Sequence, residues 1–437
     1  MLIRQLVKAA VAVPFGFGLT TMALAQPSPE KASNDPEVEE VVDAAVPSPL
    51  RFESPRVGDQ IARLGYQHEI HVAHFGYDSN GKRVDEGYRR FGVMGKLTAH
   101  AGITDRFTVF ASVPVVFRNS ASLDAGKFRK SSRYRRSYES FESVILPKMQ
   151  EVGTCSGAAE CRRLIASGES FKTPTTLTLG QGERLVVQSE VPLDSVIDSL
   201  AVYSNQLSSG KTGLGDLSLG FSTVVLTHSG EKVTDPATGT LDVAVQFPTG
   251  QYTSVPSGEL PTGRGIYEGN IGFTLDYELN DSILVSWQHK GVVALSQGKR
   301  KLTSLVNNRK LSGSNPDGSQ KEPASKTVSQ KVTRTGMGHK GFVKGQFAPV
   351  DFLADLHSIH LSAFWRYDVD TTERIDGKAQ TAGRPVIYTT GGGVFWDGLT
   401  MDLPLQVDLS LEKPVAGKNI LLADSKYQLE FRWLLAP

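Results

Sequence analysis

Cysteine is scarce, with two among 437 residues, and neither charge predominates, with 47 Lys and Arg against 46 Asp and Glu. That balance lacks the basic excess normal for nucleic-acid binders and excludes nucleic acid as an expected partner. Beyond residue 25 no run approaches the roughly 18 apolar residues of a membrane helix, so no helical span is expected. Two cysteines without a nearby histidine cannot complete a zinc set, and no cluster of metal ligands or phosphate-cradling glycine loop is present. Gly391-Gly392-Gly393 falls inside an expected strand, where it signals a bend or close packing. No metal, cofactor or catalytic residue is expected, and the chain is not expected to be an enzyme.

What is present begins at the N-terminus. Arg4 and Lys8 precede an apolar stretch from Ala9 to Leu19, and Ala23-Leu24-Ala25 forms a small-x-small cleavage site. This is the pattern of a secretory signal peptide over residues 1–25. Export places Cys155 and Cys161 where disulfides persist, and their short separation implies a local bridge. Residues 26–60, rich in Pro, Ser and acids without apolar periodicity, are expected to form a flexible periplasmic leader.

From Gly65 onward the dominant signal is period-two alternation. Leu217, Leu219, Phe221 and Val225 share one face of a segment whose other face holds Asp216, Ser218, Gly220 and Ser222. In the final segment Tyr427, Leu429, Phe431, Trp433 and Leu435 alternate with Gln428, Glu430 and Arg432. Twelve such segments are expected, at 61–75, 89–101, 106–118, 215–226, 240–251, 266–279, 282–295, 337–347, 356–368, 385–396, 400–411 and 425–435. Connections after the second, sixth, eighth and tenth are short and those after the odd-numbered strands longer; residues 227–239 break the rule. An even count, short turns on one side and long loops on the other define a transmembrane antiparallel β-barrel of the bacterial outer membrane, here over 61–437. Hydrocarbon offers no partner to an unpaired backbone, so such a sheet must close. Tyr66, Phe107, Phe117, Tyr277, Trp287, Trp365, Tyr367 and Trp433 lie near strand ends, where an interfacial girdle would place them.

Residues 119–213 form an insertion far longer than ordinary loops. It opens with Lys127, Arg129, Lys130, Arg133, Arg135 and Arg136, a cluster suited to lipopolysaccharide phosphates or to a solvated loop. Helices are expected over 139–150 and 158–166, then a hairpin from Thr175–Leu179 to Arg184–Gln188 around Gly180-Gln181-Gly182-Glu183. Pro192 opens an amphipathic helix with Leu193, Val196, Ile197, Leu200, Tyr203 and Leu207 on one face. A folded lid that narrows a pore is the functional reading of this insertion.

By alternation the lumen receives both signs of charge. Asp216, Asp242, Asp276, Glu278, Lys290, Lys344, Arg366, Asp402, Asp408, Glu430 and Arg432 are the expected pore-lining residues, accompanied by Glu69, His71, Lys96, Gln288, Gln346, His360 and Asp368. The competing reading is a packed polar interior that stabilises a non-conducting surface-display barrel. A third class is a lipid hydrolase. His74-Phe75-Gly76-Tyr77-Asp78-Ser79-Asn80-Gly81 is similar to the H-x-S-N-G element of outer-membrane phospholipase A, but Tyr77 occupies the histidine position and leaves Ser79 without its base.

Thr212-Gly213-Leu214-Gly215-Asp216-Leu217-Ser218-Leu219-Gly220, followed by Phe247-Pro248-Thr249-Gly250 and Tyr277-Glu278-Leu279, resembles an outer-membrane β-barrel family associated with the meta-pathway of phenol degradation. The turn Gly102-Ile103-Thr104-Asp105-Arg106, before a strand containing Val113-Pro114, resembles it too. The resemblance implies a channel for small hydrophobic or aromatic compounds in contact with outer-membrane lipid and lipopolysaccharide. It supplies no catalytic residues, and the oligomeric state is left open.

Overall fold

The computed structural model describes residues 60–179, 184–205, 212–227, 237–250, 262–280, 283–303, 327–347, 359–379, 383–401 and 403–435. The expected signal peptide and, apart from Gln60, the expected leader lie outside them.

The twelve alternating segments are strands. They run β1 (Ala62–Ala73), β2 (Tyr88–Thr104), β3 (Phe107–Leu123), β4 (Leu217–Thr227), β5 (Ala237–Phe247), β6 (Glu268–Asn280), β7 (Ile283–Ala294), β8 (Gly338–Phe347), β9 (Ile359–Val369), β10 (Val386–Asp397), β11 (Leu405–Lys418) and β12 (Ser425–Leu435). Each pairs antiparallel with its sequence neighbour, and β1 closes the ring on β12 from Ala62↔Leu435 to Val72↔Ser425. A thirteenth strand, Gly213–Leu214, pairs β3 at Val115 and Val116 and prolongs the line of β4. Closure leaves no edge, which is the condition for a sheet in lipid.

Two strands differ instructively from their expected spans. β11 begins at Leu405 instead of 400, because Gly398–Met401 form a single 3₁₀ turn. Pro404 follows; it has no N–H to give a ladder, and its carbonyl accepts from Leu434 N at 2.9 Å. β3 runs on to Leu123, paired with β2 as far as Tyr88, so the insertion proper starts at Asp124. The long connection expected at 227–239 falls largely on residues outside those described.

The exterior is apolar. Leu97, Phe117, Leu226, Ile271, Leu279 and Leu409 are exposed, as lipid-facing side chains must be. Aromatic rings join into a band across β7 to β10. The Tyr367 hydroxyl lies 2.5 Å from His289 Nδ1, and Trp365 stacks on Tyr388 with centroids 5.7 Å apart. Phe117, Tyr277, Trp287, Trp365 and Trp433 of the expected girdle are exposed on this surface.

The insertion has its own core. It contains α1 (Ala125–Phe128), α2 (Ser132–Glu151), α3 (Ala158–Ala166), a hairpin of Thr175–Thr178 with Arg184–Val187, and α4 (Leu193–Tyr203). Ile145, Met149, Phe171, Leu177, Leu193 and Ile197 are buried together, and Cys155 and Cys161, bonded with Cα atoms 5.3 Å apart, are part of the same buried cluster. Helix α2 starts seven residues before the expected 139, because the Ser131 hydroxyl caps it by accepting from Tyr134 N. Gly180 to Glu183 and Leu207 lie outside the described residues.

Candidate functional site: the barrel interior

Inward-facing side chains enclose two cavities, of about 470 Å³ and about 480 Å³. The first lies against β2 to β8 and is roofed by Thr262, Gly263 and Arg264 of the β5–β6 loop. The second lies against β1, β2, β7 to β9, β11 and β12. Lys96, Lys290 and Lys340 line both, so the cavities meet there.

The roof is held by Asp216, just before β4. Its carboxylate accepts from Gly250 N at 2.9 Å, Arg264 N at 2.6 Å and the Gln246 amide at 3.1 Å. Thr249 Oγ1 donates to the Gly215 carbonyl and accepts from Leu217 N, both at 2.8 Å. Thr262 Oγ1 donates to the Leu214 carbonyl. Gly263 packs against the Asp216 carboxylate so closely that a Cβ there would collide with it. The two glycine-rich motifs singled out in the sequence are therefore halves of one knot.

Arg264 carries the knot outward. Its guanidinium donates to Glu268 at 3.0 Å and to Asp370 at 3.3 Å, while Arg334 reaches Asp370 at 3.4 Å and Glu373 at 2.9 Å. Burial pushes the Asp370 carboxyl up, and the two guanidiniums outweigh it, holding the group below the ordinary aspartate range. Three long loops are thus tied at one carboxylate. On the other side of the mouth, Arg90 meets Asp424 at 3.1 Å and His71 Nε2 meets Glu69 at 2.7 Å. There the β1–β2 loop also exchanges backbone hydrogen bonds with the β11–β12 loop, Tyr77 N to Ile420 O at 2.7 Å and Ile420 N to Tyr77 O at 2.9 Å.

The remaining expected lining residues distribute as follows. Lys290, Lys344, Arg366, Asp408, Glu430 and Arg432 line the cavities, with Arg366 paired to Glu412 at 2.9 Å and Arg432 to Glu430 at 2.6 Å. Asp276 is buried and accepts from the Ser286 hydroxyl at 2.6 Å, so it is packed into the wall. Asp242 and Glu278 lie on the inward face outside both cavities, and Asp402 lies outside the described residues. At the short-turn end, Leu284, Gln346, His360 and Phe395 form a buried layer. Arg264, Arg334, Asp370 and Glu412 were not singled out in the sequence; Arg264 and Asp370 sit in loops, where no period marks them, and Arg334 lies on a strand, Thr327–Thr335, that pairs with Thr372–Ile375 outside the barrel wall.

Other candidates resolve differently. Among the described residues the insertion contributes to neither cavity, and Thr262, Gly263 and Arg264 of the β5–β6 loop line the first. Half of its basic cluster serves the fold: Lys127 pairs with Asp85 at 3.0 Å, Arg133 with Glu86 at 3.0 Å and Arg129 with Asp198 at 2.7 Å. Ser79 sits in a turn in which Asp78 Oδ1 accepts from Asn80 N and Lys82 N, and no histidine among the described residues bonds to it. Within Gly391-Gly392-Gly393, Gly391 lets the Phe364 ring lie directly on the backbone.

A closed twelve-stranded barrel with an apolar exterior and a charged interior is a bacterial outer-membrane protein, and that membrane is its location. Among solved structures, it is similar to an outer membrane channel from Pseudomonas putida F1, with 12% identity over 87% of this chain and 97% of that one and a TM-score of 0.52. Weaker likenesses are to the CymD monoaromatic hydrocarbon channel (10% identity, 87% and 90% covered, TM-score 0.32) and to a deletion mutant of the TodX monoaromatic hydrocarbon channel (10%, 90% and 93%, 0.37). The last two superpose too poorly to carry any argument, and the first bears on the fold alone. No protein-family model matches the chain, and no curated protein matches it.

Proposed function

We propose that the protein is a passive channel for small hydrophobic or aromatic solutes. The observation that carries this reading is the pair of cavities joined at Lys96, Lys290 and Lys340, each within the roughly 300–1,000 Å³ of small-ligand sites. The motif resemblance to the phenol meta-pathway family supports it.

One observation favours a second reading, a non-conducting surface-display barrel: Leu284, Gln346, His360 and Phe395 are buried side by side at the short-turn end of β7 to β10. Yet the Gln346 amide and both His360 ring nitrogens are buried without hydrogen-bond partners among the described residues. Such groups cost about 1–3 kcal/mol each unless water reaches them. That cost supports a wet constriction over a sealed floor.

Planar-bilayer recording of the refolded chain decides between the two. Discrete conductance steps are expected, with larger steps in Phe395→Ala, which thins the layer. Silence from a folded, heat-modifiable barrel would establish the non-conducting reading. Lipopolysaccharide contact belongs to the same proposal and falls to Lys130, Arg135 and Arg136, the cluster members with no ion-pair partner among the described residues.

A further inference from the structure

The junction of the cavities is a cluster of like charges. Lys290 and Lys340 are direct cross-strand partners, an arrangement that destabilises a sheet when nothing neutralises it. Lys96 projects from β2 on another part of the wall, and its charge and that of Lys340 both bear on Lys290, opposed by the carboxylates of Asp242 and Glu268, which lie beyond ion-pair distance of it. Only Lys340 is paired, with Asp368 at 3.0 Å. Among the described residues neither Lys96 nor Lys290 has a carboxylate within ion-pair distance. Glu268 is taken by Arg264, and Asp216 by the roof backbone. The second cavity as a whole is lined by eight Lys and Arg against five Asp and Glu, so its interior carries a positive excess.

Beside the ammonium groups is an aromatic wall. Phe342 follows Lys340 on the inward face of β8, Phe364 is the partner of Lys344 on β9, and both rings line the second cavity. The Arg366 guanidinium lies 5.9 Å from the Phe342 centroid and 5.6 Å from that of Phe364.

We propose that this junction is a binding site for small aromatic carboxylates: the carboxylate among Lys96, Lys290 and Lys340, the ring against Phe342 and Phe364. A carboxylate relieves the mutual repulsion of the lysines through charge-assisted hydrogen bonds. The aromatic wall selects against inorganic anions, which gain nothing from it. The inference rests on the channel reading and narrows its solute class from hydrophobic compounds in general to anionic aromatic ones.

The test is equilibrium dialysis of labelled benzoate and of benzyl alcohol, at pH 7, against the refolded chain in detergent. Benzoate should bind at least about tenfold more tightly than benzyl alcohol, a difference set by the added charge interaction. The Lys96→Gln/Lys290→Gln double variant should lose that advantage, and Lys96→Arg/Lys290→Arg should keep it. Equal binding of the two solutes by the parent protein overturns the proposal whether or not the variants fold. So does undiminished benzoate binding in the folded glutamine variant. Bilayer recording separates the two readings: chloride current blocked by benzoate supports both, benzoate binding without current removes the channel and keeps the site, and current indifferent to benzoate removes the site and keeps the channel.

Discussion

Asp216 shows how one side chain can lie on the expected face and still serve a different purpose. Alternation puts it on the inward face, and it does line a cavity, but its carboxylate is spent on the backbone of Gly250 and Arg264. Hydrogen bonds to a charged acceptor contribute about 1.5–3 kcal/mol each. In Asp216→Ala both amides lose their acceptor, and the β5–β6 loop is expected to leave the mouth. Trypsin should then cut after Arg264 in proteoliposomes of the variant while sparing the parent, and single-channel conductance should rise. Arg264→Ala separates the knot from its outer ties: the Asp216 bonds to backbone remain, Glu268 and Asp370 lose a cation, and the loop should loosen less than in Asp216→Ala. Period-two patterning tells which face a residue occupies. It is silent on partners that arrive from outside the barrel strands, which is why Arg264, Arg334 and Asp370 were not foreseen.

Among elements, the insertion was the more legible in its apolar parts. The three-and-four spacing of Leu193, Val196, Ile197 and Leu200 marked α4, and all four side chains are buried as that spacing requires. The ion-pair partners of the basic run around Tyr134 were not legible, because its acids come from elsewhere in the chain: Asp85 and Glu86 precede β2, and Asp198 is on α4. Arg129 and the Tyr134 hydroxyl hold the Asp198 carboxyl below its ordinary range against partial burial. A lowered folded value means the contribution is complete above the unfolded value near 4 and is lost as pH falls through the folded one. The pair is half exposed, so the contribution is about 0.5–1 kcal/mol. Hydrogen exchange in α4 should therefore be faster in Asp198→Asn than in the parent at pH 6, with the gap narrowing as the pH falls below about 4. The Cys155–Cys161 bridge closes a small loop beside the same core and is worth about 2 kcal/mol by chain entropy. Its reduction should raise exchange in α2 and α3 without altering the heat-modifiable band of the barrel.

For the whole molecule, closure was written in the twelve alternating segments, since a strand with one apolar and one polar face in lipid can be satisfied only by a ring. The role of the insertion was not, because sequence shows how long a loop is and not where it leans. Its core is internal, and it meets the rim through Phe128 and Val202, which pack with Tyr88, and through the pairs with Asp85 and Glu86. None of its described residues lines either cavity, and β3 pairs β4 directly from Phe107↔Thr223 to Ser112↔Ser218 without its help. Joining Leu123 to Thr212 through a short Gly-Ser linker should therefore leave the barrel folded and its conductance within about twofold of the parent, because linker length costs little beyond closure. A lid reading requires the opposite, steps that grow severalfold when the insertion is removed. Recording that variant beside Asp216→Ala assigns the mouth to one structure or the other, and the knot at Asp216 predicts that only the point substitution opens it.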